Sequence, residues 1–386
     1  MKTAIQPEKI FHKGFILACC FNFLFFMAFY MLIPVLPQYL LEDLHAGKGV
    51  TGVLLSIYVL SALAVRPWSG YIVDTYPRKK VFLLCALAYA LVFWGYLWIT
   101  PLLLFGLWRF VHGFVFGMAN TASVTVATDM IPPERMGTGV GFFGLTNAVP
   151  MAVGPMLGTV IYNSSGAVAV FYTAVALSGA STVLSFFIPV SNKADLEKAP
   201  AHTNLFKKIY LPNAAKLGIC LAGVGFAYGI VLNYITVFAK EVEITVNVGL
   251  FFLLLAIGMV FSRLIAGRFI DKGHISFVII GGTVLCCISL TILTFFPQSA
   301  TFLATALLYG LGVGLVMPAY QTVFIKMAGP EQRGLANSSF FIAWDGGIGI
   351  ALFTGGFIAQ LSSFTALYVV GAVLLALSAG MAKCAR

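Results

Sequence analysis

Ala64-Val65-Arg66-Pro67-Trp68-Ser69-Gly70-Tyr71-Ile72-Val73-Asp74-Thr75-Tyr76-Pro77-Arg78-Lys79-Lys80 is the stretch from which the fold can be read. A long apolar run ends here in an acid, a proline-containing turn and three consecutive cations, and the next apolar run begins at once with Val81. In a chain that crosses a membrane, this is a tight cytoplasmic turn between two spanning helices.

Composition requires the membrane. The 386 residues are 60% hydrophobic and 9% charged, whereas a soluble domain carries about 25% charged residues. A spanning helix takes roughly 20 apolar residues. Twelve such runs follow one another, at about 15–40, 51–73, 79–99, 102–129, 137–162, 167–190, 214–239, 247–270, 275–296, 299–326, 334–360 and 364–383. The one long polar connection parts six runs from six. The expected organisation is therefore an all-α membrane protein with a first six-helix bundle over 1–190, a cytoplasmic linker over 191–213 and a second bundle over 214–386.

The net charge of +10 would point to nucleic acid in a soluble protein, but here the cations sort by side. With the N-terminus inside, 18 of the 23 lie in inside segments, only Lys48 and Lys240 lie outside, and Arg66, Arg109 and Arg263 fall within spans. Positive charge on inner loops sets orientation, so both termini are expected in the cytoplasm. The first apolar run is too long for a signal peptide and reads as a retained span. The seven cysteines have no metal-ligand spacing and make no disulfide framework. No phosphate-binding Gly-x-x-x-x-Gly-Lys-Ser/Thr loop is present. The chain is thus read as a non-enzyme with no cofactor, no metal and no nucleic-acid partner, driven by an ion gradient or by its substrate's own.

The two halves repeat. Gly70 and Asp74 recur as Gly267 and Asp271, an offset of 197 residues (267 − 70). The same offset carries Arg66 to Arg263, His112-Gly113 and Gly117 to Tyr309-Gly310 and Gly314, Pro133-Glu134 and Gly137 to Pro330-Glu331 and Gly334, and Gly158 to Gly355. One register across five spans marks two parallel six-helix repeats.

The opening stretch resembles the hallmark loop of the major facilitator superfamily (MFS), Gly-x-x-x-Asp-(Arg)-x-x-(Gly)-Arg-(Arg/Lys), through Gly70, Asp74, Arg78, Lys79 and Lys80, with Thr75 and Pro77 departing from it. The resemblance covers essentially the whole chain. It implies twelve transmembrane helices in two pseudo-symmetric bundles, with a substrate site between them. It also implies that Asp74 caps the start of the eleventh span near Gly334 and, by symmetry, that Asp271 caps the fifth near Gly137. A carboxylate suits a helix N-terminus. Together with Gly70, Gly267 and Asp129, a candidate partner for Arg78, these residues would form a conformational latch for the outward-open state.

In the fifth span Gly141, Gly154, Pro155 and Gly158 resemble, in part, the superfamily's antiporter motif, which goes with exporters, with Pro150 and Thr159 standing where the motif has glycines; close helix packing is the plain alternative. Ionisable groups deep in spans are costly and usually functional. Asp345 is the only acid well inside a span, and a carboxyl that gains and loses a proton is what proton-coupled transport needs. Arg109, whose repeat mate is Ala306, resembles the fourth-span arginine tied to proton coupling. His112, three residues on, shares its helix face, and is either a relay or a structural hydrogen-bonding group.

Asn22, Tyr30, Asn120, Asn147, Tyr228, Asn233 and Trp344 are candidate cavity residues. Arg66 and Arg263, retained in both halves, are open between a structural and a substrate-binding role.

Within the superfamily the resemblance is to drug–proton antiporters and "arabinose efflux" permeases, carried by Ile33-Pro34-Val35-Leu36-Pro37-Gln38-Tyr39, Arg66-Pro67 and Trp344-Asp345-Gly346-Gly347. It implies a monomer in the bacterial inner membrane that exports small organic molecules by proton antiport. A proton-coupled or facilitative importer of a small polar solute such as a sugar or organic anion, a lipid flippase and a non-transporting sensor stand as alternatives.

Overall fold

The computed structural model describes residues 10–190, 209–246 and 248–384; residues 191–208 of the expected linker lie outside them. Long helices account for nearly all of the described chain, and no strand occurs among the described residues. They are α1 (Lys13–Gln38), α2 (Lys48–Thr75), α3 (Arg78–Gly95), α4 (Leu102–Asp129), the run Met136–Phe187, α7 (Ala215–Glu241), α8 (Val248–Asp271), α9 (Ile275–Phe295), α10 (Ser299–Ala328), α11 (Arg333–Leu361) and α12 (Phe364–Cys384). Met136–Phe187 is broken at Gly166, where φ is 79° and ψ 176°. Only glycine takes that conformation without strain. The run is therefore two helices, α5 (136–165) and α6 (167–187).

Proline sets several starts. Pro77 and Pro101 precede α3 and α4. The short 3₁₀ turns Pro133–Arg135 and Pro330–Gln332, one repeat length apart, lead into α5 and α11. A residue with no N–H and a fixed φ fits where a helix begins and its first donors have no intrahelical partner.

By length and composition, nine stretches among the described residues can cross a membrane, one of them holding both α5 and α6. The other two helices are α3, opened by Arg78, Lys79 and Lys80, and α11, which holds Arg333 and Asp345. The outer surface is apolar as a bilayer requires, with Trp98 75%, Leu103 78% and Phe277 71% exposed.

The chain packs as two compact units that depart from chain order in two places. One comprises 1–133, 146–210 and 329–338; the other comprises 134–145, 211–328 and 339–386. The first unit thus includes the opening turns of α11, and the second includes the opening turns of α5.

Within each unit, glycines bring helices to backbone contact. A Cβ added at Gly113 of α4 would lie 2.1 Å from the carbonyl oxygen of Tyr58 in α2, and one at Gly117 would lie 2.9 Å from that of Ala62. In the second unit, a Cβ at Gly310 of α10 would lie 2.1 Å from the carbonyl oxygen of Leu255 in α8, and one at Gly314 would lie 2.6 Å from that of Met259. All four pairs obey the offset of 197 found in the sequence. The α2/α4 and α8/α10 crossings are the same crossing.

Candidate functional site

The hallmark acids sit on helix starts. Asp74 Oδ1 accepts from the Gly334 N–H at 2.9 Å, and Oδ2 accepts from the Leu335 N–H at 2.7 Å. Asp271 Oδ1 accepts from the Gly137 N–H at 2.7 Å, and Oδ2 accepts from the Thr138 N–H at 3.0 Å and from the Thr138 hydroxyl. These are the first donors of α11 and α5, which have no intrahelical acceptor and carry the positive end of the helix dipole. Close approach requires Gly70 and Gly267. A Cβ on Gly70 would meet the Gly334 carbonyl oxygen at 2.6 Å, and one on Gly267 would meet Thr138 Cα at 2.4 Å.

The two caps differ in their charges. In the first unit Arg78 donates to Asp74 at 2.7 Å and to Asp129, and Arg333 donates to Asp129 at 3.3 Å and to the Thr128 carbonyl. The ion-paired side chains are only 5–8% exposed. Two acids and two arginines form a neutral buried network around the start of α11. Asn337, one turn on, donates to the Thr125 and Thr128 hydroxyls of α4 at 3.3 and 3.4 Å. The repeat mates of Arg78, Asp129, Arg333 and Asn337 are Ile275, Lys326, Met136 and Val140, so Asp271 caps α5 without this network. Lys79 turns away from Asp74. Its ammonium donates to the carbonyls of Ser185, Phe186 and Ile188 at 2.6–3.0 Å, closing the C-terminus of α6, while Lys80 is exposed.

The buried arginines within the spans have separate surroundings. Arg66, 2% exposed, donates to the Gly117 carbonyl and the Thr121 hydroxyl of α4, both at 3.2 Å. In the second unit the mate of Thr121 is Pro318, which offers no hydroxyl. Arg263 instead donates to the Gly144 carbonyl in the opening turns of α5 and contacts Met317 Sδ at 3.6 Å. Arg109 lies over the Tyr58 ring, 4.4 Å from its centroid, and donates to the Tyr96 hydroxyl at 3.1 Å. That hydroxyl also hydrogen-bonds His112 Nδ1 at 2.7 Å. Arg109, Tyr96 and His112 thus form one hydrogen-bonded line among Tyr58, Tyr89, Phe93 and Phe105.

Of the candidate cavity residues, several bridge helices. Asn22 of α1, 1% exposed, donates to the Thr146 hydroxyl of α5 at 2.8 Å and accepts from Ser123 of α4 at 3.1 Å. Tyr30 of α1 donates to Asn147 of α5 at 3.0 Å. Asn120 is buried in α4. Asn233, exposed, donates back to Gly229 of its own helix at 2.9 Å. Trp344 packs on Tyr228 across the α7–α11 contact, with ring centroids 5.0 Å apart. That contact is tight because Gly225 meets the Trp344 carbonyl and Gly347 meets the Ala222 carbonyl. Asp345, next along, is half-buried, and the following Gly346 has nothing within 4 Å of where a Cβ would stand. In α5, Gly154 and Gly158 seat the helix on Tyr30 and Met31 of α1, while Gly141 lies on the Arg263 carbonyl. Pro150 is buried, and Pro155 is half-buried.

Arg333 and Tyr96 are central to these networks and had no motif to mark them. Arg333 reads in sequence as one more inner cation, and Tyr96 as an aromatic near a span end.

The family model described as Major Facilitator Superfamily matches residues 18–352 and 273–385. The chain is 23% identical over 351 residues to the staphylopine export protein of Staphylococcus aureus (strain Mu50 / ATCC 700699), covering 86% of each. It is 23% identical over 375 residues to the uncharacterized MFS-type transporter YhhS of Escherichia coli (strain K12), covering 93% of this chain and 89% of that one. Among solved structures, FucP in the outward conformation superposes with a TM-score of 0.81 at 16% identity, over 98% of this chain and 100% of that one. The human organic anion transporter MFSD10 gives 0.79 at 16%, over 96% and 98%.

Proposed function

Because the chain belongs to the major facilitator superfamily, we propose that it is a secondary active transporter of the bacterial inner membrane, with both termini cytoplasmic, that exports small organic molecules in exchange for protons. The observation that carries this reading is Asp345, a half-buried carboxylic acid in the middle of α11 with open space beside it at Gly346. An acid at that depth is costly when charged and is retained where protons are handled. Similarity to a staphylopine export protein over 86% of both chains supports export.

In the proposed cycle the bundles 1–190 and 214–386 rock about a central site. Asp345 binds a proton on one side and releases it on the other in competition with substrate. The Tyr96 hydroxyl couples His112 to Arg109, so that a proton on the imidazole is felt by the guanidinium. The caps of Asp74 and Asp271 on α11 and α5 latch one conformation, and the Arg78–Asp129–Arg333 network strengthens the first of them.

The test is transport in proteoliposomes with an imposed pH gradient and an internal pH dye, against panels of lipophilic cations, organic anions and sugars. Substrate-dependent collapse of the gradient is expected in the natural protein and is expected to vanish in Asp345→Asn. Substrate flux without proton movement, or an unaltered Asp345→Asn, would sink the role of Asp345.

A further inference from the structure

On the outer face of the second unit α8 and α9 part over α10 and leave a groove of about 300 Å³. Phe261, Ile265 and Phe269 of α8 line one wall, Phe277 and Gly281 of α9 line the other, and Leu311 of α10 forms the floor. Ser262, also at the groove, donates its hydroxyl to Met259 of its own helix at 3.3 Å, so it presents no free donor. Phe261 and Phe277 are 59% and 71% exposed. From Phe261 to Phe269 the groove extends about 12 Å at 1.5 Å per residue. One leaflet's hydrocarbon is roughly 15 Å deep.

The groove ends in charge. At 100° per residue, Arg268 lies about 20° to one side of Phe261 on the α8 helical wheel, and Lys272 lies about 20° to the other. Lys272 still belongs to that spiral, since its N–H donates to the Arg268 carbonyl at 3.2 Å. Both side chains are exposed. The neighbouring acid, Asp271, is taken up by the start of α5. The cations continue the apolar stripe toward the end at which the charge count places the cytoplasm, the leaflet in which anionic lipids act on basic residues.

The scaffold does not require these features. The repeat mate of Gly281 is Leu84, and those of Arg268 and Lys272 are Tyr71 and Thr75. The first half has a leucine in place of Gly281 and no cation at the two matching positions of α2, its cations lying instead at the start of α3.

We infer that this groove is a binding site for one anionic phospholipid of the cytoplasmic leaflet, with an acyl chain between α8 and α9 and the headgroup phosphate on Arg268 and Lys272. The site is independent of the direction and coupling of transport.

The test is native mass spectrometry of the full-length protein, delipidated in detergent and titrated with dioleoyl phosphatidylglycerol or dioleoyl phosphatidylcholine. Gly281→Phe fills the groove where a Cβ meets nothing within 4 Å, and Arg268→Gln/Lys272→Gln removes the charges. The natural protein is expected to take one phosphatidylglycerol in preference to phosphatidylcholine by about 25-fold, roughly fivefold for each cation. The charge variant should lose that preference, and Gly281→Phe should lose the one tight equivalent of either lipid while unfolding at the same temperature as the natural protein. Equal affinity for both lipids in the natural protein, or an unchanged tight equivalent in Gly281→Phe, overturns the proposal. So does a dimer that Gly281→Phe converts to monomer, which would make a second copy of the chain the occupant.

Discussion

Asp129→Asn is the substitution that the first-unit network makes most consequential. Asp129 is the shared acceptor of Arg78 and Arg333, and the ion-paired side chains are nearly sealed from solvent. Removing its charge leaves two guanidiniums side by side with Asp74 as the remaining ion-paired acid among the described residues. Breaking a buried ion pair by deleting one partner costs about 3–5 kcal/mol, or roughly a thousandfold in the folded-to-unfolded ratio. Adding Arg333→Gln restores neutrality and should recover about 0.5–3 kcal/mol, the range of coupling for residues in contact. Asp271 is the internal control. It makes the same helix-start bonds, with no paired cation among the described residues, so Asp271→Asn, which keeps an acceptor oxygen but loses the charge at the helix start, should cost at most about 1 kcal/mol. Thermal unfolding of the four proteins in one detergent, followed by intrinsic fluorescence, measures the ranking. If Asp129→Asn is no worse than Asp271→Asn, or if Arg333→Gln deepens its loss, the network is not what holds the start of α11.

Three other outcomes follow from contacts described above. Gly113→Ala should impair folded yield severely, because its Cβ would strike the Tyr58 carbonyl. Gly179→Ala, in α6 with nothing within 4 Å, should instead raise stability by up to about 1 kcal/mol; size-exclusion profiles and thermal unfolding compare them. Tyr96→Phe deletes the hydroxyl shared by Arg109 and His112 and should cost about 1–3 kcal/mol, with His112→Phe adding little in the double variant. Lys79→Met uncovers three carbonyls at the end of α6, in contacts that are part-buried or exposed, and should cost about 1 kcal/mol, an effect that added salt diminishes.

What the sequence made legible is what the backbone repeats. Asp74 and Asp271 with Gly334 and Gly137, and Gly113 and Gly117 with their mates, follow from one offset, because each contact uses a backbone atom whose place the fold dictates. The side-chain chemistry was less legible. Arg66 and Arg263 look equivalent in sequence, yet Pro318 in place of Thr121 removes one acceptor, and Arg263 donates to Gly144. Lys79 belongs to a run of three cations in sequence, but in space it serves α6, more than a hundred residues away. The importance of Arg333 depends on meeting Asp129 from an element far along the chain, and no local pattern encodes that meeting. The two departures from chain order, within α5 and α11, likewise arise from packing.

The glycine crossings have an evolutionary meaning. Gly113 meets a tyrosine and Gly310 a leucine; Gly117 meets an alanine and Gly314 a methionine. The partners share no side-chain property, yet a carbonyl oxygen stands against the glycine in every case, joined by a side-chain atom of Ser61 at Gly113, of Val65 at Gly117 and of Ser262 at Gly314. The main-chain part of such a joint is blind to the residue that carries it. Each copy of a duplicated bundle was therefore free to change its partners without disturbing the crossing. Tyr58 could be recruited beneath Arg109 while Leu255 stayed inert, and two copies of one frame came to house different chemistry.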